Sequence, residues 1–187
     1  AGPVANGRSN GVHALAASRM PSPMSMQMIR SCSEADITRI TKDYARTARI
    51  MADSGFDVLE IHMAHSYLLS SFLAQGQNRR KDRWNGSLEN RSRFARQVAR
   101  AVREEVGDAV AVTAKIGMTD GSPVGFSMPE SVEFAQMLES HGLRYVHDGR
   151  ACDFLVVDQQ QGSMVSCDWL EVGRATGFQL GNSLRDL

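Results

Sequence analysis

Between Gly55 and Arg91 lies the stretch that most restricts what this chain can fold into. The run Phe56-Asp57-Val58-Leu59-Glu60-Ile61 is mostly apolar and stops abruptly at His62, His65 and Tyr67. A short apolar run that ends in chemically able polar side chains predicts a buried strand with a polar rim at its carboxyl end. In barrels and open sheets of alternating strands and helices, that rim is where chemistry is placed.

The flanking sequence supplies the alternation. Residues 1 to 32 are rich in Gly, Pro, Ser, Asn and Met, with turn signals at Asn6-Gly7, Asn10-Gly11 and Pro21-Ser22-Pro23, and are expected to form a long loop. Ser33 followed by Asp36 is a short capping box, and Ile37, Ile40, Tyr44, Ala48 and Met51 recur at helical spacing until Gly55. After the strand Phe56 to Ile61, taken as covered on both faces, Tyr67 to Leu73 is a helical turn over the polar cluster. A second helix opens at Ser87, with Leu88, Ala95, Val98, Val102 and Val106 inward, and closes at Gly107. Val110 to Ile116 is the next strand, ending in Lys115 and a Gly- and Asp-containing loop. Pro129 starts a third helix with the stripe Val132, Ala135 and Leu138, closed by Gly142, and Leu143 to His147 is a third strand. Helix and strand in strict turn mean right-handed crossovers and a parallel sheet, the α/β class. From Asp148 the alternation is lost, although Asp153 to Val157 has the composition of one more strand.

Composition narrows the function classes. At 187 residues and 42% apolar content the chain is about one domain with enough apolar surface for a core. The 21 basic residues equal the 21 acidic ones. That balance argues against nucleic acid or an anionic membrane as the main partner. No apolar run approaches the roughly 18 residues of a membrane span, and no signal peptide is visible. Cys32, Cys152 and Cys167 are odd in number and far apart, which suggests reduced thiols in a cytoplasmic protein.

From residue type and spacing alone, His62 and His65 have three readings. They are paired donors in one pocket, unrelated polar residues at a strand end, or half of a metal site lacking its other ligands. Tyr67 is a proton donor, since a phenol titrating near about 10 is protonated at neutral pH, or an ordinary packed ring. Lys115 is a fixed cation at a strand end or a plain surface lysine.

The motifs break this tie by resemblance. Gly55-Phe56-Asp57-x-x-Glu60-Ile61-His62-x-x-His65-x-Tyr67-Leu68-Leu69, Asn78-Arg79-Arg80-x-Asp82 and Gly86-Ser87-Leu88-Glu89-Asn90-Arg91 resemble the old yellow enzyme family. These are FMN-dependent NADH:flavin oxidoreductases that include 2,4-dienoyl-CoA reductase and trimethylamine dehydrogenase. Ala101-Val102-Arg103-Glu104, Val106-Gly107-Asp108 and Pro21-Ser22-Pro23 also match, so the likeness runs over roughly residues 1 to 143. Asn85 stands where the family usually has glycine, and Lys115 where many members have arginine.

The resemblance implies a (β/α)8 barrel of the TIM type that is incomplete. Residues 1–147 would supply its central units, and 148–187 a tail that departs from the pattern. It implies FMN as cofactor, NAD(P)H as reductant, and hydride transfer to an electron-poor acceptor such as an activated alkene. The alternative is a catalytically inactive fragment, or a metal-dependent barrel hydrolase or lyase. By the same resemblance His62 and His65 clamp the acceptor oxygen, Tyr67 is the proton donor, and Lys115 lies beside the flavin N1 and C2 carbonyl. A barrel cut open exposes strand edges, so self-association is expected.

Overall fold

The computed structural model describes residues 14–22, 26–117 and 119–143, together with the strands Tyr145–His147, Phe154–Val157 and Met164–Cys167. Within them the expected alternation is present.

Helix α1 (Glu34–Asp53) starts where the sequence places it. The Ser33 hydroxyl accepts from the Asp36 N–H at 3.1 Å, and the Asp36 carboxylate accepts from the Ser33 N–H at 2.9 Å. The same carboxylate takes both arms of Arg30, at 2.8 and 3.0 Å. Arg30 foremost, and then Ser33, hold the Asp36 carboxyl well below the usual carboxylate range. Ile37, Ile40 and Ala48 are buried as the periodicity predicts, and Gly55 leaves the helix at φ 89°.

Strands β4 (Val58–Met63), β5 (Ala111–Ile116) and β6 (Tyr145–His147) pair in parallel, β4 against β5 and β5 against β6. Two further strands, β7 (Phe154–Val157) and β8 (Met164–Cys167), extend the sheet antiparallel. The strand expected over Asp153 to Val157 therefore forms; the remainder of 148–187 lies outside the described residues. Ile61, Met63, Val112, Ala114 and Ile116 face a core completed by α4 (Arg93–Val106) and α5 (Met128–Glu139), with α1 packed on α4. Each such aliphatic side chain contributes about 1.5–3 kcal/mol by leaving water.

Three expectations need correction. The strand covered on both faces is buried only in its second half: Phe56 is 50% and Val58 44% exposed. The reason is position, since β4 is the end strand of the order β4-β5-β6-β7-β8.

The helix expected from Ser87 is divided into α3 (Leu88–Arg91) and α4 at Ser92, whose hydroxyl donates back to the Glu89 carbonyl at 3.3 Å. Such back-bonding bends a helix without ending it. Bonds from Ser92 N–H to Leu88 O and from Arg96 N–H to Ser92 O cross the junction.

The described part of the expected N-terminal loop instead holds β1 (Leu15–Ala16), β2 (Met20–Pro21) and β3 (Met28–Ser31), ordered β1-β3-β2; residues 1–13 lie outside the described residues. Strands this short carry no readable period. Remote groups hold them: the Ala17 N–H donates to Ser71 Oγ at 3.1 Å, and Arg80 donates to the Ala17 and Cys32 carbonyls at 3.1 and 2.6 Å.

The irregular chain between β4 and α4 is fastened by its own polar residues. α2 (Leu68–Leu73) buries Leu68, Leu69, Phe72 and Leu73. The Asn78 amide donates to the Phe72 and Trp84 carbonyls at 2.8 and 2.7 Å, and Asn85 donates to the Arg80 carbonyl at 2.7 Å. Arg91, only 2% exposed, donates to the Gly86 and Leu73 carbonyls and pairs with Glu130. Burial pushes the Glu130 carboxyl up, but the Ser127 N–H and hydroxyl and the Arg91 guanidinium outweigh it and hold it low. The hydrogen bonds of these segments are thus spent on the chain's own backbone.

Two outcomes follow from this packing. Arg91→Met takes the guanidinium from the Glu130 carboxylate and from two carbonyls, and is expected to cost about 3 kcal/mol in urea unfolding; exposed Arg39→Met is expected to cost less than about 1 kcal/mol. Asp36→Ala is expected to lose about 1 kcal/mol at neutral pH. Because the native carboxyl is lowered, that contribution is complete above about pH 4 and is lost as the pH falls through the native value. The wild type and Asp36→Ala should then converge in strong acid.

Candidate active site

The register of β4 against β5 sets the site. His62 is paired with Lys115 and Met63 with Ile116. In a parallel pair, registered residues project to the same face, and neighbours along a strand to opposite faces. With Ile61, Met63, Ala114 and Ile116 committed to the helices, Glu60, His62, Thr113 and Lys115 take the other side. His62 and Lys115 are half-buried at the carboxyl ends of their strands.

Immediately past β4 the chain turns sharply. His65 and Ser66 both adopt φ 57°, in the left-handed region, before Tyr67 caps α2. The turn brings the His65 ring to 5.3 Å from that of His62, edge to face, and the Tyr67 ring to 4.9 Å, tilted. Tyr67 has no capping hydrogen bond from its side chain and is 38% exposed. The Ser70 hydroxyl instead ties the turn to the helix as a donor, 2.9 Å from the Ala64 carbonyl and 3.0 Å from that of Tyr67.

His62 is the electrostatic centre. Burial first, and then His65 and Lys115, hold its imidazole below the ordinary histidine range. Its Nδ1 is buried and has no hydrogen-bond partner among the described residues. A neutral ring offers one donor and one acceptor, so this atom is available to a bound molecule. Among the described residues no group of three or more His, Cys, Asp or Glu side chains is placed to hold a metal ion.

Thus His62, His65 and Tyr67 converge, with Lys115 on the neighbouring strand. The sequence reading missed Ser66 and Gln77. The Gln77 amide donates to Ser66 Oγ at 2.8 Å. Ser66 falls at an unspecified position of the first motif and Gln77 lies outside all of them, and a left-handed serine leaves no compositional mark. The site is bounded by a second loop as well: the Gly76 N–H donates to the Val124 carbonyl at 2.6 Å, joining the segment after α2 to the loop after β5.

Comparison with known proteins places these elements. The profile of the NADH:flavin oxidoreductase / NADH oxidase family matches residues 5–164, beyond Leu143 where the likeness was expected to end. The chain is 44% identical over 142 residues to 4,4'-dithiodibutanoate disulfide reductase of Rhodococcus erythropolis, covering 76% of this chain and 35% of that protein. Histamine dehydrogenase from Rhizobium sp. 4-9 superposes with a TM-score of 0.69 at 31% identity, over 73% of this chain and 20% of that one. Morphinone reductase in complex with tetrahydroNAD gives a TM-score of 0.65 at 28% identity, over 74% and 43%. The chain spans about a third of the Rhodococcus protein and less than half of either structure. These structural neighbours are (β/α)8 barrels of the old yellow enzyme type, and the elements described above form part of such a barrel. The chain belongs to the NADH:flavin oxidoreductase / NADH oxidase family.

Proposed function

We propose that this chain carries the acceptor side, and one edge of the flavin side, of an FMN-dependent oxidoreductase. It would pass a hydride from NAD(P)H to an electron-poor small molecule such as an activated alkene. The observation that carries the reading is the gathering of two imidazoles and a phenol at the end of β4, with an ammonium group in register on β5. The buried, unpartnered His62 Nδ1 fits a site built to meet a further molecule.

When bound, FMN supplies the hydride relay between the nicotinamide and the acceptor. The chain's own residues do the rest. His62 and His65 would hold the acceptor oxygen, with donors aimed at the atom where negative charge develops. The lowered affinity of His62 for a proton suits a neutral donor over an imidazolium. Tyr67, half-exposed beside His62, would give its phenolic proton to the acceptor carbon opposite the incoming hydride. Lys115 would sit at the flavin edge where negative charge accumulates; as a point charge it lacks the two-pronged geometry of arginine. An organic disulfide is the second acceptor to test, because the Rhodococcus relative is named for reducing one. A reduced, buried Cys32 thiol, pushed up to about 12 chiefly by burial, fits the cytoplasm as location.

The full chain titrated with FMN is expected to give a yellow complex with a perturbed flavin spectrum; an unperturbed spectrum at all FMN concentrations overturns the reading. In that complex Tyr67→Phe is expected to slow the half-reaction with an enone about a hundredfold or more, while the half-reaction with NAD(P)H is unchanged. Equal slowing of both would remove Tyr67 from the acid role. Independently of flavin, Lys115→Met removes a like charge from His62. Its NMR titration should then move up toward the ordinary value of about 6.5, and stop short of it because burial remains.

A further inference from the structure

His65 and Ser66 lie one after the other in a backbone region that side chains with a Cβ avoid, both at φ 57°. Conformations of this kind persist only where the surroundings over-determine them. Part of the hold comes from within the turn: the Tyr67 N–H donates to the Ala64 carbonyl at 3.2 Å, and Ser70 bridges the Ala64 and Tyr67 carbonyls. The rest comes from Gln77, eleven residues on, whose Nε2 donates to Ser66 Oγ at 2.8 Å.

Gln77 is itself well anchored. Its N–H donates to the Ala74 carbonyl at 3.1 Å, and the adjoining Gly76 is tied to Val124. Yet its Oε1 is buried and unpartnered. That atom and His62 Nδ1 are the two buried side-chain polar atoms lacking a partner among the described residues, and both belong to this corner of the molecule. An orphaned acceptor is a cost an apolar residue would avoid. An amide at position 77 is thus poorly chosen for filling space and well chosen for gripping Ser66.

We propose that Gln77 is a positioning residue. By holding the Ser66 hydroxyl it keeps the left-handed turn closed, and so keeps His65 and Tyr67, on either side of Ser66, against His62. The functional meaning rests on the reading of those rings as the acceptor site; the geometry does not. Glycine enters the left-handed region without a Cβ penalty. The grip is therefore needed because residue 66 is a serine, and a glycine there would make it dispensable.

This dependence gives the test. Ring signals of His65 and Tyr67 are followed by NMR in the full chain, without flavin, for wild type, Gln77→Ala, Ser66→Gly and the double variant. Gln77→Ala is expected to shift and broaden both sets of ring signals. The same substitution in the Ser66→Gly background is expected to leave them where that background has them. Unmoved rings in Gln77→Ala, or an equal displacement in both backgrounds, overturns the proposal, since a side chain that only packs would act alike in each. Should Gln77→Ala fail to fold, the double variant must recover the fold, and failure to do so also overturns it. A chain that never binds FMN would sink the proposed function while leaving these four spectra to decide the role of Gln77.

Discussion

The pairing of β4 with β5 is the constraint on which the rest of this molecule depends. Its register puts Ile61, Met63, Ala114 and Ile116 under the helices and leaves His62 and Lys115 together on the other face. Because the side-chain period along a strand is two, a slip of one residue by either strand would send its polar group into the apolar layer. The cost of burying an imidazole and an ammonium there makes the register self-enforcing. One choice of hydrogen-bonded neighbours thus fixes the core and the site at once.

The electrostatics follow from that choice. Burial, with His65 and Lys115 close by, holds the His62 imidazole below the ordinary histidine range, and its Nδ1 has no partner among the described residues. The guanidinium groups elsewhere are occupied with structure. Arg80 and Arg91 bind main-chain carbonyls of the loops and carboxylates beside them. Irregular backbone can then run through the interior without orphaned carbonyls.

What could be read from the chain beforehand was whatever is encoded locally. Ser33 and Asp36 announce α1, the Ile37 and Ile40 spacing gives its buried stripe, and the polar ending of the first parallel strand marks the site. Convergence of His62, His65 and Tyr67 was expected from motif likeness, and their ring distances agree with it. What could not be read depends on partners far along the chain. β1 and β3 exist because Ser71 and Arg80 reach them, the exposure of Val58 reflects where β4 sits in the sheet, and the left-handed turn is held from Gln77. No window of a dozen residues contains those facts.

The stitch between Gly76 and Val124 carries an evolutionary corollary. A Cβ on residue 76 would stand 3.0 Å from the Val124 side chain and 3.1 Å from its carbonyl oxygen, so the two backbones touch with almost nothing between them. A side chain added at residue 76 would press on the other connection at this point. Diversification at this contact is therefore expected to proceed by paired changes. Anyone grafting the segment after α2 from a relative would have to transplant the segment after β5 with it.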